Sequence, residues 1–213
     1  MRAAAEPGLG QIDHTPTPDE LAYVSRTAEP ILGDSTAWLA ARVAESSIHV
    51  VYRITESAGG LLYNASVLLG PDGILGFHRK HKLWDAATGG NEHLTWAAGS
   101  TPGVVVPGPL GRIGLLTCIE MGYGLGPGLA SQGADLIATA LAWPAFAGTM
   151  YDDAVRATAR ESAVWHVVAN QVGTVGHAAD YGHSSIVDPS GNVVADTVTE
   201  EGMVVSELDQ PRD

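Results

Sequence analysis

The chain has 213 residues, of which 45% are hydrophobic and 16% charged, and its formal net charge is −13. This size and composition predict a single folded domain over residues 1–213 and exclude a disordered chain. The negative charge disfavours nucleic acid and anionic lipid surfaces as partners, and no run approaches the roughly 18 apolar residues that a membrane helix needs.

Runs rich in β-branched residues and bounded by Gly, Pro, Asn or Asp predict strands. They cover 48–54, 62–70, 74–80, 111–118, 135–143, 166–173, 184–188, 192–196 and 203–208. Capping residues and apolar spacing predict helices between them. These helices cover about 35–46, 125–132 and 150–164. Residues 1–27 show no regular pattern and are expected to be irregular.

Two turn tripeptides join neighbouring predicted strands. Pro71-Asp72-Gly73 lies within 62–80, and Pro189-Ser190-Gly191 lies within 184–196. Both segments are therefore predicted to be antiparallel hairpins. Hairpins combined with crossover helices indicate an α/β sandwich with mixed sheets.

Cys118 is the one cysteine of the chain, and it follows the apolar run 111–117 directly. A buried cysteine is usually a small hydrophobic residue of the core, but a thiol where a strand ends before a Gly-rich turn also suits a nucleophile. With one cysteine no internal disulfide can form, and residues 1–6 are too short for a signal peptide, so we expect a cytoplasmic protein.

A cationic cluster, residues 78–82, follows another predicted strand. By itself it could be the solvated edge of a hairpin. An ammonium group near a thiol lowers the thiol pKa, and a carboxylate can take the proton and later activate water. Lys80 and Cys118 together therefore favour a nucleophilic role for the cysteine.

Six stretches in sequence order resemble the nitrilase superfamily of carbon–nitrogen hydrolases, over about residues 28–209. They are His78-Arg-Lys-His-Lys-Leu-Trp84, Gly114-Leu-Leu-Thr-Cys-Ile-Glu120, Gln132-Gly-Ala-Asp-Leu-Ile137 with Ala142-Trp-Pro144, Arg156-Ala-Thr-Ala-Arg-Glu161, Val168-Ala-Asn-Gln-Val-Gly173 and Gly182-His-Ser-Ser-Ile-Val-Asp-Pro-Ser-Gly191. The family usually has a histidine two places after its lysine. Here Lys82 holds that place and His81 stands next to Lys80.

The resemblance implies a four-layer α-β-β-α sandwich that lacks the first strand, helix and strand of the family. It also implies a Glu, Lys and Cys triad, with Cys118 as nucleophile. Lys80 and the backbone N–H of Ile119 would stabilise the oxyanion. Glu6 would be the general base, with Glu20 and Glu29 as alternatives by residue type.

Two further site residues follow from the resemblance. Glu92 matches a glutamate that orients the lysine or the substrate, although it could also be an exposed loop acid. Trp143 follows the strand after the nucleophile, so it would line the acyl pocket or pack in the core.

The expected activity is hydrolysis of a small carboxamide through a cysteine thioester, with ammonia released, water consumed and no cofactor. Alternatives are a nitrile or an N-carbamoyl amino acid as substrate, for which Arg156 or Arg160 could bind a carboxylate. An inactive, truncated relative acting as a binding or assembly module also stays open. We expect a homo-oligomer whether the protein is an active hydrolase or an inactive relative.

A metal-dependent hydrolase would have to use His78, His81, Glu92 and His93. These residues lack the usual metal-ligand spacing, so no metal site is expected. A serine hydrolase is disfavoured because the chain lacks a Gly-x-Ser-x-Gly motif.

Overall fold

The computed structural model describes residues 16–84, 90–175 and 178–208. Its first sheet is antiparallel and has the spatial order β1-β2-β3. These strands are β1 (Val50–Ala58), β2 (Leu61–Gly70) and β3 (Gly73–Arg79). The predicted hairpin over 62–80 is thus confirmed.

The second sheet is mixed, since its central strands run parallel and the outer ones antiparallel. Its strands are β4 (Val104–Gly108), β5 (Gly111–Thr117), β6 (Leu136–Leu141), β7 (Trp165–Asn170), β10 (Ser185–Val187) and β11 (Val193–Asp196). They lie in the order β11-β10-β7-β6-β5-β4. Strands β5, β6 and β7 are parallel, and β10 and β11 form the predicted antiparallel hairpin. A separate hairpin consists of β8 (Val172–Val175) and β9 (Ala178–Tyr181).

Helices flank the two sheets. They are α1 (Pro18–Thr27), α2 (Asp34–Ser46), α3 (Gly126–Ser131) and α4 (Gly148–Ser162). Val43 of α2 packs on Val67 and Leu69 of the first sheet. Leu129 of α3 and Val155 of α4 belong to the core on the outer face of the second sheet.

The two sheets pack on each other through a third apolar cluster. Leu68 of β2 meets Leu115 of β5 and Ala138 of β6 there. Leu116, the next residue of β5, belongs instead to the cluster under α3 and α4. Successive side chains of a strand point to opposite faces, so β5 contributes to two cores at once. The result is the α-β-β-α sandwich that the resemblance predicts.

Three expectations from the sequence differ from the structure. Segment 18–27 is a helix, because Thr17 and Glu20 form a capping box at its start. Segment 203–208 contains no strand and runs without regular structure. The predicted strand 166–173 is two strands, β7 and β8, interrupted at Gln171.

The register of β1 directs polar residues toward the space between the sheets. Val51 pairs with Leu68, and two residues later Arg53 pairs with Ser66. Paired residues of antiparallel strands point to the same face, so Arg53 and Ser66 continue the row that starts in the apolar cluster. The inner layer therefore changes from apolar to polar toward the end of β5.

In the described part of the chain, no helix is both long and apolar enough to cross a membrane.

Candidate active site

Cys118 lies directly after β5 and begins a short 3-10 helix, Cys118–Tyr123. Its φ of 55° is in the left-handed region, which residues other than glycine rarely adopt. Such backbone strain persists only where the surroundings impose it, and it is typical of functional turns. Cys118 is free and partly buried, and it packs against the apolar cluster under α3 and α4.

The end of β5 is fixed by side-chain hydrogen bonds from the neighbouring layer. The Ser66 Oγ lies 2.8 Å from the Thr117 Oγ1 and donates to the Leu116 carbonyl at 3.2 Å. Ser66 and Thr117 are both fully buried. Buried hydrogen bonds of this kind hold the residue before the cysteine in one position.

Lys80 lies just beyond β3, and its side chain is fully buried. Its Nζ donates to both oxygens of Glu92, at 2.7 and 2.6 Å. An ammonium has three N–H donors, so this pair leaves one for another acceptor. The Lys80 backbone is held as well, because its N–H donates to Asn64 O and its carbonyl accepts from Gly99 N.

Gly99 must be a glycine for the lysine to lie where it does. A Cβ there would come within 2.2 Å of the Arg79 carbonyl oxygen. The Gly99 carbonyl also bonds the Nδ1 of His81 at 2.8 Å. His81 thus makes a hydrogen bond beside the lysine, although Lys82 occupies the family's usual histidine position.

Glu92 begins the short 3-10 helix Glu92–Leu94. Besides Lys80 it binds the Trp84 N–H through its Oε2 at 2.6 Å, while its own N–H donates to the Trp84 carbonyl. Its side chain is 14% exposed. It is therefore a mostly buried partner of Lys80 and not an exposed loop acid.

The electrostatics keep Lys80 charged. Burial disfavours the ammonium, but the charges of Glu92, Cys118 and Glu120 outweigh burial and raise the pKa of Lys80. An ammonium in this setting can stabilise negative charge that develops on a substrate oxygen.

The pKa of the Cys118 thiol is also raised, mainly by burial and further by Glu92. Lys80, Arg53 and a hydrogen bond from the Ile119 backbone N–H act in the opposite direction. The net direction is opposite to the lowered thiol pKa that the sequence predicts. A resting thiol needs a base that removes its proton as it attacks.

Glu6, the predicted general base, lies outside the described residues. Its two alternatives serve helix starts: Glu20 belongs to the capping box of α1, and Glu29 accepts from the Ser35 N–H at 2.9 Å near the start of α2. The role of Glu6 stays a prediction.

Trp143 is 2% exposed and packs in the core under α4. Its indole N–H donates to Ala147 O at 2.9 Å, and its ring contacts Tyr151 edge-on. These contacts support the core role. A pocket role for Trp143 stays a prediction.

The residues of the metal hypothesis have separate partners, because His78 binds Glu120, His81 binds Gly99 and Glu92 binds Lys80. Across 16–84, 90–175 and 178–208, no group of three or more His, Cys, Asp or Glu residues is arranged to hold a metal ion.

Arg156 and Arg160, the candidate carboxylate ligands, both lie against Gly191 in the turn between β10 and β11.

The sequence profile described as Carbon-nitrogen hydrolase matches residues 7–212. The chain belongs to this family. This carbon–nitrogen hydrolase is 32% identical over 200 residues to "Omega-amidase NIT2" of Homo sapiens, covering 88% of this chain and 71% of the relative. It is 30% identical over 190 residues to an "(R)-stereoselective amidase" of Pseudomonas sp., covering 88% and 67%.

The fold of this carbon–nitrogen hydrolase is similar to the crystal structure of Nit3 from Saccharomyces cerevisiae, a member of branch 10 of the nitrilase superfamily. The TM-score is 0.76 at 22% identity, and the match covers 87% of this chain and 69% of that one. The nitrilase-type sandwich is thus confirmed.

Sequence reasoning missed two charged residues of this carbon–nitrogen hydrolase. Arg53 lies in β1, and its charge acts on Cys118. A lone arginine in the apolar run 50–54 was the available signal. Glu120, two residues after Cys118, is fully buried; the sequence shows the carboxyl but not its partners.

Proposed function

We propose that this carbon–nitrogen hydrolase cleaves small carboxamides through a thioester on Cys118. One observation carries the proposal: a fully buried Lys80 is paired with Glu92, and its charge acts on a thiol held in a strained turn at the end of β5. The named activities of both curated relatives, an omega-amidase and an amidase, support an amide as substrate.

The first step is attack on the amide carbon. As the Cys118 Sγ forms a bond to this carbon, its proton passes to the general base, for which Glu6 is the candidate. The carbonyl electrons move to oxygen. The remaining Lys80 N–H and the Ile119 N–H then donate to the oxyanion, in a site where burial strengthens both interactions.

The second step releases the amine. The oxyanion reforms the carbonyl as the C–N bond breaks, and the base returns its proton to the departing nitrogen, so ammonia leaves from a primary amide. Water then attacks the thioester and loses a proton to the same base. The C–S bond breaks, and the Cys118 thiol is restored.

Glu92 has a supporting role in this scheme. By accepting two hydrogen bonds from Lys80, it holds the ammonium in one orientation and keeps it charged. An unpaired buried ammonium would be very unfavourable. Lys80 can therefore remain protonated throughout the cycle.

We also propose that the enzyme acts in the cytoplasm and as a homo-oligomer. A single cysteine suits a reducing compartment. Two large apolar side chains near the start of α4, Phe146 and Met150, are 55% and 59% exposed, which supports contact with a second copy. Light scattering of the purified protein measures the oligomeric state, and a monomer at micromolar concentration would contradict this part of the proposal.

The test of the function is ammonia release from a panel of small carboxamides, nitriles and N-carbamoyl amino acids. We expect release from carboxamides and at least about a 10⁴-fold loss in Cys118→Ala, as for removal of other nucleophiles. Unchanged release in Cys118→Ala would overturn the thioester route. No release from any carboxamide by the folded wild type would favour the binding or assembly module.

A further inference from the structure

Glu120 joins the two segments that carry the proposed reactive groups. Its Oε2 accepts from the Thr117 N–H at 2.8 Å, directly before Cys118. Its Oε1 accepts from the His81 N–H at 2.7 Å and the Lys82 N–H at 3.2 Å, directly after Lys80. One carboxylate thus holds the end of β5 to the residues that follow β3.

His78 completes this arrangement from within β3. Its Nε2 lies 2.8 Å from the Glu120 Oε2, and both side chains are fully buried. Burial alone would raise the pKa of Glu120, but His78 and the N–H groups of His81 and Lys82 outweigh burial and lower it. Glu120 is therefore an anion that can only accept hydrogen bonds, so His78 donates.

Each oxygen of Glu120 accepts two N–H donors. An amide at this position would have to turn an NH₂ group toward two of those donors, whichever way it is oriented. A buried donor left without an acceptor is destabilising, and here the unpaired donors would lie in the two segments that carry Cys118 and Lys80. The arrangement therefore requires a carboxylate.

We propose that Glu120, oriented by His78, is a positioning residue that sets the distance between Cys118 and Lys80. It does not touch the substrate, and it acts through the backbone of Thr117 and of residues 81–82. This inference rests on the proposed roles of Cys118 and Lys80. A displacement near 1 Å in such a pair can lower the rate about 10²-fold.

The test is Glu120→Gln, assayed beside wild type with the best carboxamide of the panel. We expect kcat to fall about 10²-fold with KM within about threefold, because the reacting groups are displaced and the substrate pocket is not. The conservative variant Glu120→Asp keeps the anion, and it should retain at least about tenfold more activity than Glu120→Gln.

His78 gives an independent pair of variants. His78→Gln keeps an N–H donor near the position of Nε2, whereas His78→Leu removes it. We expect the glutamine variant to be clearly the more active of the two. The inference therefore predicts two activity orders: Glu120→Asp above Glu120→Gln, and His78→Gln above His78→Leu. If one pair contains a variant that folds poorly, the other pair still tests the inference.

A pH profile separates positioning from a purely structural role. Three groups whose charges raise the pKa of Lys80 are Glu92, Cys118 and Glu120. Removing the charge of Glu120 should move the alkaline limb of kcat/KM to lower pH. A change that only weakens packing would leave that limb in place.

The matched control removes a buried hydrogen bond on the opposite face of the second sheet. The Thr139 Oγ1 lies 2.9 Å from the His166 Nε2, and both residues are buried. Thr139→Val should lower the free energy of unfolding while kcat stays within about threefold of wild type.

Two results would overturn the inference. The first is a Glu120→Gln variant with wild-type kcat. The second is a loss of activity that is in the same proportion to the loss of stability in Glu120→Gln and in Thr139→Val, with the alkaline limb of kcat/KM unchanged. An inactive wild type with folded structure would instead contradict the proposed function.

Discussion

The two faces of β5 have opposite chemistry. Toward α3 and α4, Leu116 belongs to an apolar cluster with Leu129. Toward the first sheet, Thr117 is bonded to Ser66 and Glu120, directly before Cys118 in the chain. The comparison teaches that apolar packing on one side can anchor a strand while hydrogen bonds on its other side fix the residue before the nucleophile. Stability and activity should therefore respond to different substitutions.

The polar side should respond most strongly in activity. Lys80→Gln removes an oxyanion donor, and we expect kcat/KM to fall about 10²–10³-fold in an ammonia-release assay. Lys82→Gln is the matched control, because its side chain is exposed and only its backbone binds Glu120. Equal activity in the two variants would remove the functional distinction between these lysines.

The apolar side should respond in stability. Leu129 is fully buried, and a Cβ added at Gly103 or Gly114 would come within 2.7 or 3.0 Å of its side chain. Leu129→Ala should lower the free energy of unfolding by about 2–5 kcal/mol in urea titration. The folded variant should keep kcat/KM within about threefold, whereas Leu32→Ala, at a position 84% exposed, should change neither quantity much. A 10²-fold loss of kcat in folded Leu129→Ala would show that the two faces are not separable.

The smallest effect concerns the pH dependence of thiol alkylation. Burial raises the pKa of Cys118 above that of an ordinary thiol. The thiolate therefore forms only at higher pH than it does in an ordinary cysteine. The rate with iodoacetamide should therefore still rise about tenfold per pH unit through pH 8.5, where a free cysteine derivative begins to level off. A plateau below pH 8 would show a lowered thiol pKa instead.

The sequence predicts the sheets and most helices well, because turn tripeptides and β-branched runs are local signals. It missed α1, whose capping box at Thr17 and Glu20 lies in a segment of weak apolar pattern. It also missed β4 and β9, since β4 contains Pro107 and Gly108 and β9 begins with two alanines. Tertiary pairing with β5 and β8 determines these strands.

Sequence motifs identify which residues belong to the candidate site, but not how those residues are arranged. The motifs single out Lys80, Glu92 and Cys118, and the structure pairs the first two directly. The direction of the thiol pKa was not predictable, because it depends on burial and on the sum of several charges. The position of Glu120 was not predictable either, since three of its four donors come from residues 78–82, which are remote from it in sequence.

The most direct test of the central claim is a partition experiment with hydroxylamine. An acyl group held on Cys118 as a thioester can pass either to water or to hydroxylamine, so two substrates with the same acyl group and different leaving groups share one intermediate. We predict the same ratio of hydroxamate to carboxylic acid from a primary amide and from the matching anilide, and neither product above background with Cys118→Ala. Ratios that depend on the leaving group would contradict a common Cys118 thioester.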